Sequence, residues 1–220
     1  MAYSNVGIAN LALYRVGNKD PIANLSENTT VNNIFQYVRD ILLEAADWTW
    51  AKQRVALAQS ETDPATRFSF AYPLPADFMR VAKDVSYDRA IYPSGASSVS
   101  YDNQIMSWPG TSYAYVLETL SDGVECIFTD YDNTSYDLYL IYIKRVTDPA
   151  KYTARFIEAF ADRLGAELAI PIAESRAKKK DLLEDYEKRS LPAAIALNQS
   201  SNYLLNELGS TEWVDAGRME

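Results

Sequence analysis

The residue types that most often carry enzyme chemistry are scarce in this chain. Its 220 residues include no histidine and a single cysteine, Cys126. Without an imidazole there is no Ser-His-Asp or Cys-His constellation and no ordinary general base near neutral pH. Most zinc sites are excluded for the same reason. Cys126 lies in Val124-Glu125-Cys126-Ile127-Phe128. It reads as a buried small hydrophobe rather than a nucleophile. One cysteine cannot form an intramolecular disulfide. Carboxylate chemistry, lysine chemistry and oxygen-ligated metals remain.

Three constellations of those types stand out, and each has a plainer explanation. Asp130-Tyr131-Asp132-Asn133-Thr134-Ser135-Tyr136-Asp137 opens like a calcium loop. An EF-hand needs glycine at its sixth place and a bidentate glutamate at its twelfth, where this chain has Ser135 and Ile141. A solvated hairpin turn is expected instead. Glu158 and Glu167 fall on one helix, about 13 Å apart along its axis. That separation is too great for the acid pair of glycoside hydrolysis, so both are assigned to surface or packing. Lys178-Lys179-Lys180 precedes Asp181, Glu184, Asp185 and Glu187, which predicts a self-compensating helix face with a Lys180–Glu184 pair. An acidic partner is the sharper alternative for that run. No phosphate-cradling or nucleophile-elbow motif is present. No catalytic, cofactor-binding or metal-binding residue is assigned, and no cofactor is expected.

The elements that would position such residues form two kinds of territory. Ser4 should cap a first helix that ends at Gly17-Asn18, a left-handed stop. Val31, Ile34, Phe35, Val38, Ile41, Leu42 and Ala45 trace one face of a second helix, capped by Thr29 or Thr30. The stretch from Ala51 to Ala58 could extend the second helix or form a strand, and a strand is the preferred reading; Arg67–Tyr72 reads as a short strand. Pro73-Leu74-Pro75 must be extended, and Ala76–Val81 reads as one short turn. From Val85 to Ile143 the period is two, predicting strands at 85–92, 98–101, 104–107, 112–119, 124–129 and 136–145. The last is apolar or aromatic on both faces, the mark of a central strand. Helix resumes after Asp148-Pro149. Thr153 should cap a helix with Phe156, Ile157, Phe160, Leu164 and Leu168 on its apolar stripe, ended or kinked by Pro171. A last helix is expected over 174–198, with Leu182, Leu183, Tyr186 and Ala193 inward and a kink at Pro192. The fold class is therefore α+β: a helical bundle core from residues 1–58 and 146–200, with an antiparallel β-rich insertion over 59–145 and a C-terminal tail over 201–220.

Charge divides along the same line. The net charge is −9, which disfavours non-specific binding to nucleic acid. Residues 85–143 hold eight acidic side chains against Arg89 alone, a net charge of −7. The flanking segments are close to neutral. Nine of the 16 tyrosines also lie in that segment, where they serve as core or, with their polar tips, as interface. Trp48, Trp50 and Trp108 are open to the same two readings. Trp213 sits in the polar tail, which has no core of its own, so Tyr203, Trp213 and Val214 are the candidate partner contacts. No apolar run reaches the ~20 residues of a membrane helix, so no membrane role is expected. The N-terminus lacks a signal-peptide pattern, which implies synthesis and use in a cytoplasm, or assembly from there.

Several stretches together resemble the tail-adaptor proteins (tail tubular protein A, or head-to-tail connector) of short-tailed bacteriophages. Ile8-Ala9-Asn10-Leu11-Ala12-Leu13-Tyr14-Arg15-Val16-Gly17, the helix over 31–45 and Trp48-Thr49-Trp50-Ala51-Lys52-Gln53-Arg54 resemble the family's opening. Phe70-Ala71-Tyr72-Pro73-Leu74-Pro75-Ala76-Asp77-Phe78-Met79-Arg80-Val81 is similar to its most recognisable internal stretch. Tyr142–Pro149, Phe156–Phe160 and Leu164–Ile172 resemble its C-terminal half. The resemblance covers residues 4–198 and rests on order and spacing rather than on one specific motif; the central β segment and the tail match least well. It implies a virion protein made in the host cytoplasm: a ring of twelve copies joining the portal protein to the tail nozzle and surrounding DNA that passes through the channel without specific binding. It carries over no catalytic residue. The alternatives are another virion or scaffold assembly protein and, on weaker grounds, a cell-wall hydrolase.

Overall fold

The computed structural model describes residues 3–60, 68–82, 91–93, 115–133 and 138–200. The fold is α+β, with helices from both ends of the chain and an inserted antiparallel β region. Two compact units form. One comprises Ser4–Ile34 and Tyr152–Glu220, and the other Met1–Tyr3 and Phe35–Lys151.

The helical unit begins with α1 (Asn5–Val16), capped by the Ser4 hydroxyl, which accepts from Gly7 N–H at 3.0 Å. The helix stops at Gly17, whose φ of 97° is left-handed. Gly17 N–H reaches the Tyr14 carbonyl and Asn18 N–H the Leu13 carbonyl, satisfying otherwise orphaned acceptors. Helix α2 (Thr29–Ala45) starts in this unit and ends in the other. Its cap is Asn28, whose side chain accepts from Val31 N–H at 3.1 Å, not Thr29 or Thr30, which are already helical. Val31, Phe35, Val38, Leu42 and Leu43 are buried, Ile34 and Ile41 are half-buried, and Ala45 is exposed.

Helix α3 (Ala154–Ala173), capped by Thr153, is the axis of the helical unit. Apolar or small residues cover most of its circumference: Phe156, Ile157, Phe160, Leu164 and Leu168 alternate with Ala159, Ala161, Gly165, Ala166 and Ala169, all buried. A helix with so broad an apolar face belongs in the centre, with its charged residues gathered on the remaining side. Pro171 lies within its last turn, and the helix ends at Glu174 in the left-handed region. Helix α4 (Arg176–Asp185), capped by Ser175, leads through a π-helical turn (Tyr186–Ser190) into α5 (Leu191–Ser200). The disturbance expected at Pro192 takes this form. Proline cannot donate to the carbonyl four residues back and crowds it, and a widened turn just before it relieves that crowding. Tyr186, Ser190, Ala194 and Asn198 are buried on this run.

The inserted unit holds two sheets. In the first, β1 (Lys52–Leu57) lies along one edge of β7 (Leu138–Lys144), while β3 (Phe78–Val81) and β4 (Ile91–Pro93) share the other. Strand β7 is thus central, as its two apolar faces require. Strand β1 belongs with this sheet through its ladder to β7, from Lys52↔Ile143 to Leu57↔Leu138. The second sheet runs β2 (Phe70–Pro73), β6 (Glu125–Thr129), β5 (Tyr115–Thr119). The expected turn at Ala76–Val81 is a strand over its second half, because Phe78 and Val81 pack on the sheet core while the backbone pairs with β7. Leu57, Tyr72, Ile127, Tyr131, Leu138, Leu140 and Tyr142 form one cluster with contributions from both sheets. Phe68, Ala71, Cys126 and Phe128 form a second, on the other face of β6. The strands expected at 98–101 and 104–107, residues 85–90, 112–114 and 136–137, and Trp108 lie outside the described residues. Among the described residues no helix is long and apolar enough to cross a membrane.

Candidate functional site

The stretch from Phe70 to Val81 is where the inserted unit is tied together. It enters as β2 in the second sheet, where Leu74 N–H continues the pairing to the Glu125 carbonyl at 2.9 Å. The extended Pro73-Leu74-Pro75 then carries the chain out of that sheet. A turn closes with Phe78 N–H on the Pro75 carbonyl, and the chain enters the first sheet as β3.

Each polar side chain in this stretch has a structural partner. The Tyr72 hydroxyl donates to the Tyr131 carbonyl at 2.6 Å, and burial pushes its pKa up to about 12. The Asp77 carboxylate accepts from the Tyr142 hydroxyl at 2.8 Å, while its backbone carbonyl accepts from Arg145 N–H at 2.7 Å. Burial first, then the hydrogen bond to Asp77, then the Asp77 charge, raises the Tyr142 pKa. Arg80 pairs with Asp47 at 2.6 Å and donates to the carbonyls of Glu44 and Val81 at 3.1 and 3.0 Å. A cation on the last carbonyls of α2 complements the negative end of the helix dipole. Just beyond that helix, Trp48 is fully buried, and its indole N–H donates to the Leu42 carbonyl at 2.7 Å. Half-buried Trp50 stacks on it with ring centroids 6.1 Å apart.

The sequence candidates for chemistry have similar surroundings. Glu158 pairs with Arg155 at 2.7 Å; Glu167 pairs with Arg163 at 2.9 Å and Lys179 at 2.8 Å. Glu184 pairs with Lys188 rather than with Lys180. Both Lys180 and Lys188 stand one helical turn from it, but the hydrogen bond goes to Lys188, and Lys180 contributes only a weaker through-space attraction. Asp130 accepts from the Ser69 backbone and hydroxyl at 3.0 and 3.2 Å, so its carboxylate tethers the start of β2. Residues 134–137 of that turn lie outside the described residues. Cys126 is fully buried, and burial raises its pKa. A thiol held protonated is a poor nucleophile. Among the described residues no group of three or more acidic or cysteine side chains is placed to hold a metal ion.

Sequence reasoning missed one polar centre. Asp162 is buried on α3 and pairs with Arg15 of α1, which also donates to the Glu158 carbonyl at 2.9 Å. Burial raises the Asp162 pKa, opposed by the Ser190 hydroxyl and by Arg15. Spacing alone gave no signal of it, because Asp162 shares a helical stripe with Arg155 and Glu158; the groups that meet its carboxylate, on Arg15 and Ser190, are distant in sequence. Tyr203, Trp213 and Val214, the candidate partner contacts, lie outside the described residues.

No family model matches the chain, and no curated protein matches it.

Proposed function

We propose that this chain is a structural virion protein, an adaptor whose copies form a ring between the portal and the tail nozzle of a short-tailed bacteriophage. The observation that carries this reading is the resemblance along residues 4–198, centred on Phe70–Val81. Its physical support is the role of that stretch. Tyr72, Asp77, Phe78, Arg80 and Val81 all serve internal joints of the inserted unit, which suits a part whose task is to hold a shape. Ion pairs on Glu158 and Glu167 and burial of Cys126 also favour an architectural role over a hydrolytic one.

The acidic segment fits a wall facing DNA. A negative surface repels passing phosphates and keeps a channel free of binding. Reversing the charge of Asp130 and Asp132 should slow DNA delivery by assembled particles; unchanged delivery removes the channel-wall assignment. The adaptor reading itself is tested by co-sedimentation of the purified chain with an isolated portal ring. Binding that saturates is expected, and no binding under any salt condition sinks the reading.

A further inference from the structure

The run from α4 through the π-helical turn into α5 keeps one stripe inward. Leu182, Tyr186, Ser190, Ala194 and Asn198 are all buried, and each lies four residues after the last. A regular helix cannot do this. Its residues advance about 100° each, so a four-residue step drifts about 40° around the axis. From Leu182 to Asn198 the drift reaches about 160°, which would carry Asn198 to the far side. The turn at Tyr186–Ser190 supplies the correction. Leu191 N–H reaches back five residues to the Tyr186 carbonyl. One extra residue is taken up there, and everything after it is turned back by about 100°.

That single residue decides which side chains α5 turns inward. With it, Ser190 lies beside the Asp162 carboxyl of α3, and Ala194 and Asn198 follow along the same face. Without it, a continuous α-helix puts the residues one position earlier at the same three places: Arg189, Ala193 and Leu197. All three suit the surface they would meet. Arg189 would bring a guanidinium to the Asp162 carboxylate, Ala193 would stand in for an alanine, and Leu197 for an asparagine. In the structure this second set is turned outward. The Arg189 side chain is 80% exposed and pairs with Asp185 on its own run. Leu197 is 49% exposed, while the neighbouring buried place goes to polar Asn198. Leucine out and asparagine in is the reverse of what apolar burial favours, so the stripe does not itself select the wide turn. Pro192 does. It is exposed, and in a regular turn its ring would press on the Lys188 carbonyl.

We infer that the wide turn is a one-residue register switch: Pro192 locks α5 in the register that buries Ser190, Ala194 and Asn198, and the same sequence holds a second register, a continuous α-helix that buries Arg189, Ala193 and Leu197. Passing from one to the other rotates α5 about its axis by about 100° and withdraws Leu197 and Arg189 from its outer face. Two discrete packings of one element, rather than a gradual deformation, are what a close-packed contact permits.

Thiol labelling of full-length variants reads the register. Cys126 is fully buried, so a second cysteine reports its own position. Leu197→Cys should label faster than Asn198→Cys in the otherwise unmodified chain. Adding Pro192→Ala should invert that order, because position 197 turns inward and position 198 outward. Position 192 is exposed and alanine is the best helix former, so circular dichroism should show no loss of helix. Deleting Lys188, an exposed residue of the turn, from the Pro192→Ala variants should restore the original order. A continuous helix one residue shorter brings Ser190, Ala194 and Asn198 back to the inner face, whereas a frayed α5 would not recover in this way. An order left unchanged by Pro192→Ala, two thiols that label equally fast in either background, or an inverted order that the deletion does not restore would each overturn the switch.

Discussion

The two units use charge in opposite ways. In the helical unit, charged side chains join one helix to another. Arg15 of α1 meets Asp162 of α3, Glu167 of α3 meets Lys179 of α4, and the Arg163 guanidinium lies 5.7 Å from the Tyr186 ring centroid. In the inserted unit apolar clusters and tyrosine hydroxyls do most of the joining, helped by the Arg80–Asp47 pair, while the β5–β6 hairpin acids Glu118 and Glu125 are exposed. A unit that compensates its own charges makes a body. One that exposes acids of a single sign presents a field that attracts a basic surface and repels an acidic one.

Trp48→Ala should have the largest effect. It empties a fully buried indole site and frees the Leu42 carbonyl, at a cost of about 4 kcal/mol. Urea unfolding followed by segment-resolved hydrogen exchange should show the loss in the inserted unit, with α3 protection largely retained. Equal loss of protection in both units would contradict their independence.

Gly165→Val strikes the helical unit where α1 and α4 both lie close to α3. A side chain at Gly165 would begin 3.4 Å from the Ala12 carbonyl oxygen of α1 and 3.3 Å from Leu182 of α4. The Leu182 side chain can yield, but a helical carbonyl cannot. Overpacking should cost about 3 kcal/mol, seen as a lower urea midpoint with exchange rising first in α1.

Asp162→Ala should cost about 2 kcal/mol. That is less than the loss for a fully enclosed pair, since Arg15 keeps its bond to the Glu158 carbonyl and a quarter of its side-chain exposure. The same residue gives a pH signature. Burial raises its pKa, so the folded state binds the proton more tightly than the unfolded chain does. The stability this gives is complete below the ordinary carboxylate range and is lost as pH rises through the raised value. Asp162→Asn should flatten that slope in urea titrations across the range, and an unchanged slope would assign the pH dependence elsewhere.

Tyr72→Phe should be mildest, about 1 kcal/mol for a buried carbonyl left without its donor. The alkaline loss of stability tied to the raised Tyr72 pKa should shrink with it, because that contribution disappears as pH rises through about 12.

Much of the fold was legible where local chemistry decides it. Ser4, Gly17 and Thr153 cap as their types require, and β7 is central because both its faces are apolar. The misreadings occur where distant partners decide. Ala76–Val81 contains Asp77 and Arg80, whose partners Tyr142, Arg145, Glu44 and Asp47 are far away in sequence, so nothing local marks Phe78–Val81 as a strand. The Lys180–Glu184 pair failed for a subtler reason. Spacing offered Glu184 two lysines, and spacing alone cannot choose between them. The partner contacts assigned to Tyr203, Trp213 and Val214 rest on composition, whereas the wide turn that buries Ala194 where Ala193 was expected emerges only when the helix is packed.

The ring-forming adaptor proposed for this chain can be looked for by eye. Electron microscopy of the purified protein mixed with a portal ring tests it most directly. A closed ring of this chain seated coaxially on the portal is expected, with the acidic inserted unit facing a neighbour or the channel. A portal ring that remains bare at saturating concentrations of the chain would contradict it.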